Sequence, residues 1–205
     1  MSEQVELTDP VDHSVGGMYG HLFRRAFHIG MSFIPLVYFE YADELSDLVS
    51  ISELQLVSLL TFGIAFSEAI RLKLGITIFG QRDYESKQVS ALAWGGLAVG
   101  LTFLTLYEYP ELVWPLILSL SLGDPFLGEV RRKGYTARTV FITGSIFLAI
   151  IWIACWYQLG TPLWMAVFMA PLCVAAEWPR LSWIDDNATM ILFPLIPLLL
   201  IHWLL

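Results

Sequence analysis

The sequence predicts an all-α fold, a polytopic membrane bundle of about seven transmembrane helices. Of the 205 residues, 57% are hydrophobic and 14% aromatic, and the mean hydropathy is +0.66. This apolar share is far above that of an ordinary soluble domain. Seven apolar stretches approach the roughly 17 to 25 residues that a helix needs to cross a hydrocarbon core. In chain order they cover residues 26–42, 52–71, 88–107, 111–128, 139–158, 161–178 and 187–205.

The first span is the weakest of the seven, because it is short and contains Pro35. Span three contains the stretch ALAWGGLAVG, whose small residues recur four positions apart. Small residues at that spacing let two helices approach closely, either within one chain or across a homodimer interface. Cys155 and Cys173, in spans five and six, have no CxxC partner or neighbouring histidine, so we interpret them as small buried hydrophobic side chains.

The basic residues predict the orientation of the chain. All eleven lie on one side of the membrane if the N-terminus is cytoplasmic. Because cytoplasmic loops are enriched in lysine and arginine, we expect an N-in, C-out multi-pass protein of the cell membrane. Residues 1–21 then form a mobile acidic cytoplasmic tail, and residues 22–205 form a single membrane domain.

The net charge of −8 disfavours a nucleic acid as partner, because nucleic-acid phosphates attract basic surfaces. The sequence also lacks the GxxxxGK[ST], GxGxxG, HExxH and GxSxG motifs. A nucleotide would therefore have to bind without the common soluble phosphate loops.

Each of the three even-numbered spans ends in a carboxylate at its cytoplasmic end. Span two closes with Glu68, span four with Asp124 and span six with Glu177. Ionised groups at membrane depth are costly, so three of them need partners. Arg71 and Arg180 each follow a glutamate by three positions, which is the spacing of a helical ion pair. The carboxylates therefore either form local pairs or share a site.

Asp124 differs from the other two because it lies between Gly123 and Pro125. A proline disfavours helical geometry in the residue before it, so we expect the span to break at Asp124. Broken helices at membrane depth occur where they are buried in protein or line a wet cavity. Asp124 is then predicted to face a cytoplasmic pocket, where it would bind a hard cation such as Mg²⁺.

Further polar groups adjoin this pocket in the predicted topology. Arg131, Arg132 and Lys133 follow span four, and Arg24 and Arg25 precede span one. Such a basic cluster sets the orientation of the chain in the membrane, contacts lipid headgroups or binds phosphate. His28 shares a helix face with Arg24 at i,i+4, and is either an interfacial hydrogen bonder or part of the site. Residues 185–187, Asp-Asp-Asn, either cap span seven or add a cation or hydroxyl site.

Four stretches of the chain resemble, in the same order, the motifs of the dolichol kinase, phytol kinase and CTP-dependent diacylglycerol kinase family. They are RRAFHIG, SEAIR with GQRDYES, LGDPFLGEVRRKG and AAEWPRLSWIDDN. The likeness covers roughly residues 22–200. This resemblance implies a lipid kinase that uses CTP and Mg²⁺ to phosphorylate a polyprenol or another lipid alcohol. It also implies a more distant relation to CTP:phosphatidate cytidylyltransferases.

The resemblance assigns roles residue by residue. The catalytic residues would be Asp124, Asp186 and Glu177, with Asp124 and Asp185 as metal ligands. The nucleotide and phosphate would be bound by Arg24, Arg25, His28, Arg131, Arg132 and Lys133. The remaining motif positions are Glu68, Arg71, Arg82, Glu85, Gly123, Gly128 and Asn187.

Three alternatives stay open at the sequence level. The first is a cytidylyltransferase that makes a CDP-lipid. The second is a transporter, which would need acidic groups accessible from both sides. The third is an inactive structural subunit, because this chain has KGYTARTVFITGS where many relatives have a Lys-Ser-x-x-Gly stretch.

Overall fold

The computed structural model describes residues 11, 13–179, 181 and 183–204, and for 202–204 it describes the backbone alone. These residues are organised as helices. The all-α fold expected from the sequence is confirmed for this part of the chain. Each predicted span overlaps at least one helix. The α-helices are α1 (Gly17–Gly30), α2 (Ile34–Val49), α3 (Glu53–Leu74), α4 (Ala91–Leu106), α5 (Pro110–Arg132), α6 (Ala137–Leu159), α7 (Leu163–Ala175) and α8 (Asp186–Leu204).

Two helices of the described chain, α3 and α6, are long and apolar enough to cross a membrane. They have 22 and 23 residues. α4, α7 and residues 186–201 of α8 are apolar but shorter. α3 and α6 carry the length and composition typical of membrane helices, and the shorter helices pack around the same core.

The weak first span is divided between two helices. A 3₁₀ turn, Met31–Phe33, joins α1 to α2, and Pro35 lies in the first turn of α2, where a proline does not disrupt the helix. The packed structure also begins before residue 22, the expected domain boundary. The Val15 amide donates to the Gln81 carbonyl at 2.8 Å, and the Asp83 amide donates to the His13 carbonyl at 3.1 Å. Residues 13–16 therefore lie against the loop between α3 and α4.

Several helix ends follow from local sequence. Ser52 and Gln55 form a capping box at the start of α3, and Ser90 and Thr136 cap α4 and α6. Gly75 ends α3 with a φ of 65°, a left-handed conformation that glycine adopts without steric cost. These caps fix where the loops leave the bundle.

α5 lies at the centre of the bundle and contacts α1, α2, α4, α6, α7 and α8. The Trp152 indole on α6 is fully buried and donates to the Ser119 hydroxyl on α5 at 3.0 Å. A buried indole N–H needs such an acceptor, because an unpaired donor in an apolar interior is costly. This hydrogen bond helps fix the position of α6 along α5.

The small residues of α4 serve packing within the chain. A Cβ on Gly100 would overlap the Thr61 side chain, and one on Gly96 would lie 3.0 Å from Ile64 Cδ1. α3 and α4 can therefore approach closely only because these positions are glycine. The four-residue spacing of small residues in α4 is therefore explained by packing within the chain and requires no homodimer.

Our expectation that the fourth span breaks at Asp124 is wrong. α5 continues through Gly123, Asp124 and Pro125 to Arg132. A proline inside a helix removes one backbone hydrogen bond, and neighbouring groups can compensate for such a loss. The bond lost at Pro125 is the one to the Ser121 carbonyl. Arg25 Nη1 makes a separate contact, because it donates to the Pro125 carbonyl at 3.1 Å and so ties α1 to this part of α5. Asp124 is therefore presented from an intact helix.

Candidate functional site

Three carboxylates from distant parts of the chain meet at one end of the bundle. One oxygen from each of Asp124, Glu177 and Asp186 lies within 4.8 Å of the other two. We call these residues the acidic trio. Two unit charges about 4 Å apart interact by about 4 kcal/mol at an effective dielectric constant of about 20. Such repulsion must be offset by cations if all three carboxylates are ionised.

Each member of the trio comes from a different element. Asp124 lies on α5, Glu177 lies two residues beyond the end of α7, and Asp186 is the first residue of α8. The Thr189 hydroxyl donates to the Ala176 carbonyl at 2.6 Å, which ties the end of α7 to the first turn of α8. This bond keeps the last two carboxylates adjacent.

Glu177 is the most deeply buried member of the trio. Its side chain is 1% exposed, and it forms an ion pair with Arg131. Glu177 Oε2 has no hydrogen-bond donor among the described residues. An ionised oxygen buried without a donor is strongly unfavourable, so it calls for a cation. Arg180, the pairing partner that the sequence offered, lies outside the described residues.

His28 contacts the trio from α1. Its Nδ1 lies 3.3 Å from Asp124 Oδ2, although the geometry of this contact falls short of a hydrogen bond. The His28 side chain is 6% exposed, whereas Asp124 is 27% exposed. Asp124 therefore has one side against α1 and another open to solvent.

Arg24 lies next to the trio and is held by Glu85. Arg24 Nη1 donates to Glu85 Oε1 at 2.9 Å. Burial lowers the pKa of Arg24, but the Glu85 carboxylate reverses this effect, and the pKa is raised overall. Asp185 and Asp124 also attract the Arg24 charge. A permanent positive charge therefore lies beside the carboxylates.

Arg25 faces the C-terminal end of α5. Its Nη1 lies 3.6 Å from Glu129 Oε2, and its Nε donates to His21 Nε2 at 2.9 Å. A Cβ on Gly128 would lie 3.6 Å from Arg25 Nη2, an ordinary contact distance, so Gly128 lies next to the guanidinium. The sequence had assigned no role to His21, which here orients Arg25.

Arg82 and Tyr84 lie in the loop between α3 and α4. Arg82 Nη1 donates to the Tyr84 hydroxyl at 2.6 Å, and the Arg82 charge acts on Asp186 and His28. Burial raises the pKa of Tyr84, so this phenol stays protonated at neutral pH. Sequence reasoning missed Tyr84, because one tyrosine in a loop has no distinctive spacing.

Two of the predicted phosphate-binding residues lie further out. Arg132 pairs with Glu129, with Nη2 and Oε1 2.6 Å apart, and its side chain is 59% exposed. The hydrogen bond from Arg132 lowers the pKa of Glu129. Lys133 is exposed just beyond α5. Of Arg131, Arg132 and Lys133, only Arg131 reaches the trio. The guanidinium carbon of Arg131 also lies 6.0 Å from the Trp178 ring centroid.

Asp185 is not part of the trio, although the sequence grouped it with Asp124 as a metal ligand. Its Oδ1 accepts a hydrogen bond from the Asn187 amide at 3.1 Å, so this carboxylate caps the start of α8. Desolvation and the adjacent Asp186 carboxylate raise the pKa of Asp185 well above its usual range. The trio instead uses Glu177 from the end of α7.

Asn187 links two helices rather than facing the trio. Its side chain is buried, and Nδ2 donates to the Ala91 carbonyl at 3.2 Å, which joins α8 to the start of α4. Gly123 also has a packing role, because a Cβ there would lie 2.9 Å from Leu148 Cδ2. Both residues position the helices that carry the trio.

Glu68 and Arg71 form a buried structural pair instead of joining the acidic trio. Arg71 Nε and Nη2 donate to the two Glu68 oxygens at 2.8 and 2.7 Å. The remaining Arg71 hydrogens donate to the carbonyls of Ile76, Glu85 and Gln88. This cluster anchors the loop that carries Glu85, and through Glu85 it positions Arg24.

No protein-family model matches this chain, and neither a curated protein nor a solved structure gives a significant match.

Proposed function

We propose that this chain is a multi-pass membrane enzyme, a CTP-dependent kinase that phosphorylates the hydroxyl of a polyprenol or similar lipid alcohol. One observation carries the proposal: Asp124, Glu177 and Asp186 converge from three elements and are flanked by arginines. Phosphoryl transfer requires positioning and charge stabilisation more than covalent chemistry. Opposite charges held side by side suit that requirement.

A membrane location is supported by α3 and α6 and by their exposed apolar side chains. On α3, Leu59 and Phe62 are 61% and 67% exposed, and on α6, Ile146 and Ile150 are 57% and 61% exposed. Faces of this kind are covered in a stable protein, here by lipid. The proposed arrangement has seven spans, N-in and C-out, with the trio at the cytoplasmic side.

The trio fits a divalent cation such as Mg²⁺. Its ligands would be Asp124, Glu177 and Asp186, because carboxylate oxygens are the preferred donors and Glu177 Oε2 has no other partner in the described chain. When bound, the ion would supply positive charge to the oxygens of a triphosphate.

The arginines around the trio would bind the phosphate oxygens of CTP. Arg24 and Arg131 each pair with a carboxylate and lie beside the trio, and Arg25 lies at the adjacent end of α5. Guanidinium groups bind phosphate through two parallel hydrogen bonds, which adds geometric specificity. We assign the Asp186 oxygen that does not bind the cation to accept the proton of the lipid hydroxyl.

A transfer assay with purified protein tests this function. The protein is given CTP labelled in the γ-phosphate, a long-chain prenol and either Mg²⁺ or a chelator. We expect label in the lipid only with Mg²⁺, and a loss of at least about 100-fold in Asp124→Asn, as for removal of one transition-state contact. Equal transfer by the variant, or transfer in chelator, would refute the assigned site. Absence of turnover on any lipid alcohol would favour a transporter or an inactive subunit.

A further inference from the structure

The described part of the chain contains an apolar groove of 480 Å³. It is bounded by the end of α1, by α3 and by the start of α4. Its volume falls within the roughly 300 to 1,000 Å³ of small-molecule sites. Its lining includes Phe27, Met31, Ile64, Ile70, Ala93 and Gly96.

The polar groups that line the groove already have partners. Glu68 and Arg71 bind each other, the Ser90 amide donates to Glu68 Oε1 at 2.6 Å, and Gln81 Oε1 accepts from the Ile78 amide at 3.0 Å. A polar ligand would gain little from groups that are already satisfied. The groove therefore suits a hydrocarbon chain.

The groove adjoins the trio through Met31 and His28. His28, between the lining residues Phe27 and Met31, contacts Asp124. A Cβ on Gly95 would lie 3.7 Å from both Met31 Cε and Asn187 Cβ, so Met31 packs close to the residue that follows Asp186. His28 and Met31 thus connect the lining of the groove to residues that contact or neighbour the carboxylates.

The groove is closed toward the middle of α4 and open toward lipid. The close contacts of Gly96 with Ile64 and of Gly100 with Thr61 bring α3 and α4 together below it. Ile70 and Leu74 of α3, which line the groove, are 45% and 64% exposed. In the proposed membrane arrangement, a lipid chain could therefore enter the groove sideways from the bilayer without crossing water.

We infer that this groove binds the part of the lipid chain nearest the hydroxyl and presents that hydroxyl to the acidic trio past Met31. The inference rests on the proposed function for the identity of its ligand. It adds a location for the lipid: the lipid chain lies between α1, α3 and α4, while the α6 side of the bundle contacts only bulk lipid.

Photo-crosslinking tests the location without requiring turnover. The probe is a long-chain prenol with a diazirine on the isoprene unit nearest the hydroxyl, applied to the full chain in detergent micelles and mapped by mass spectrometry. We expect crosslinks on residues 64–74 and 92–96 that are competed by unlabelled prenol. Crosslinks spread equally over the exposed face of α6 would show bulk lipid contact only and would overturn the inference.

A matched pair of variants provides a kinetic test. Ile70→Trp fills the open side of the groove, whereas Ile146→Trp makes the same change on the exposed face of α6. We expect Ile70→Trp to raise the KM for a long-chain prenol about tenfold, as for a misfit in an apolar pocket, with kcat kept and with Ile146→Trp unchanged. Transfer that is equal in both variants would refute the groove and leave the proposed kinase intact. Competed crosslinks in the groove without turnover on any alcohol would instead refute the kinase and keep the groove.

Discussion

At the residue scale, Asp185 and Asp186 are adjacent in sequence but occupy different environments. Asp186 belongs to the acidic trio, whereas Asp185 caps the backbone of α8. The sequence marked both as acids of one motif, and in the structure their side chains interact with each other, but only the direction of the Asp186 side chain brings a carboxylate to Asp124 and Glu177. That direction depends on how α8 meets α5 and the end of α7, which residue spacing does not encode.

This difference predicts unequal effects on cation binding. Asp186→Asn should weaken Mn²⁺ binding to the purified protein strongly, because it removes a ligand. Asp185→Asn should weaken it at most about tenfold, the low end for a group that only supports a ligand. Titration of free Mn²⁺ by electron paramagnetic resonance measures both. Equal losses in the two variants would contradict the assignment of the trio.

Arg71 illustrates a residue that the family resemblance marks and that the fold uses for stability. Arg71→Ala would leave Glu68 buried and unpaired, so we expect a loss of about 3–5 kcal/mol in the free energy of unfolding. Arg71→Lys should recover little, because an ammonium cannot bind two carboxylate oxygens and three carbonyls at once. Chemical unfolding in mixed micelles measures the loss.

Arg132→Ala is the matched control for Arg71→Ala. It breaks an i,i+3 pair of the same kind, but at an exposed position. Exposed ion pairs contribute little, so the unfolding midpoint should not shift. Equal destabilisation by the two changes would show that Arg71 does not anchor its loop.

At the element scale, the helical and apolar character of the elements could be predicted from the sequence, but the shorter lengths of α4 and α7 and the effect of the prolines could not. α5 contains Pro115 and Pro125 and is nevertheless continuous. Pro115 leaves the Glu111 carbonyl without its helical donor, and the Thr161 hydroxyl donates to that carbonyl at 2.6 Å. The partner is 50 residues away in sequence. No local rule could identify it.

The Thr161 contact predicts a coupling between two substitutions. Thr161→Val should cost about 1–3 kcal/mol, because it leaves the Glu111 carbonyl unpaired. In a Pro115→Ala background the new amide can donate to that carbonyl, so the same change should cost much less. Unfolding of the four proteins gives the coupling energy. Additive effects would contradict the proposed compensation.

At the scale of the whole molecule, the charge pattern of the sequence is the basis of the proposed N-in, C-out orientation. In that proposed orientation, the residues of the trio and the arginines beside it lie at the cytoplasmic end of the bundle. The sequence could predict which spans end in carboxylates, and it correctly suggested pairing for Glu68. The span ends alone could not show that Asp186 rather than Glu68 lies beside Asp124 and Glu177, since that depends on how α8 packs against α5, whereas the family resemblance had grouped Asp124, Asp186 and Glu177.

The proposed orientation predicts the labelling of single cysteines introduced at two exposed positions, Lys133 just beyond α5 and Gln158 in the last turn of α6. Lys133→Cys should react with a membrane-impermeant maleimide only in inside-out vesicles, and Gln158→Cys only in intact cells. Background should be low, because both native cysteines are buried. Labelling of both positions from the same side would refute the seven-span arrangement.

The most direct test of the account follows the two ends of the CTP triphosphate in parallel reactions with purified protein, Mg²⁺ and a long-chain prenol. One reaction carries label in the α-phosphate and the other in the γ-phosphate. The account predicts γ-label in the lipid and α-label in CDP, with both products lost in Asp124→Asn. The appearance of α-label in the lipid together with release of labelled pyrophosphate would identify a cytidylyltransferase and contradict the kinase.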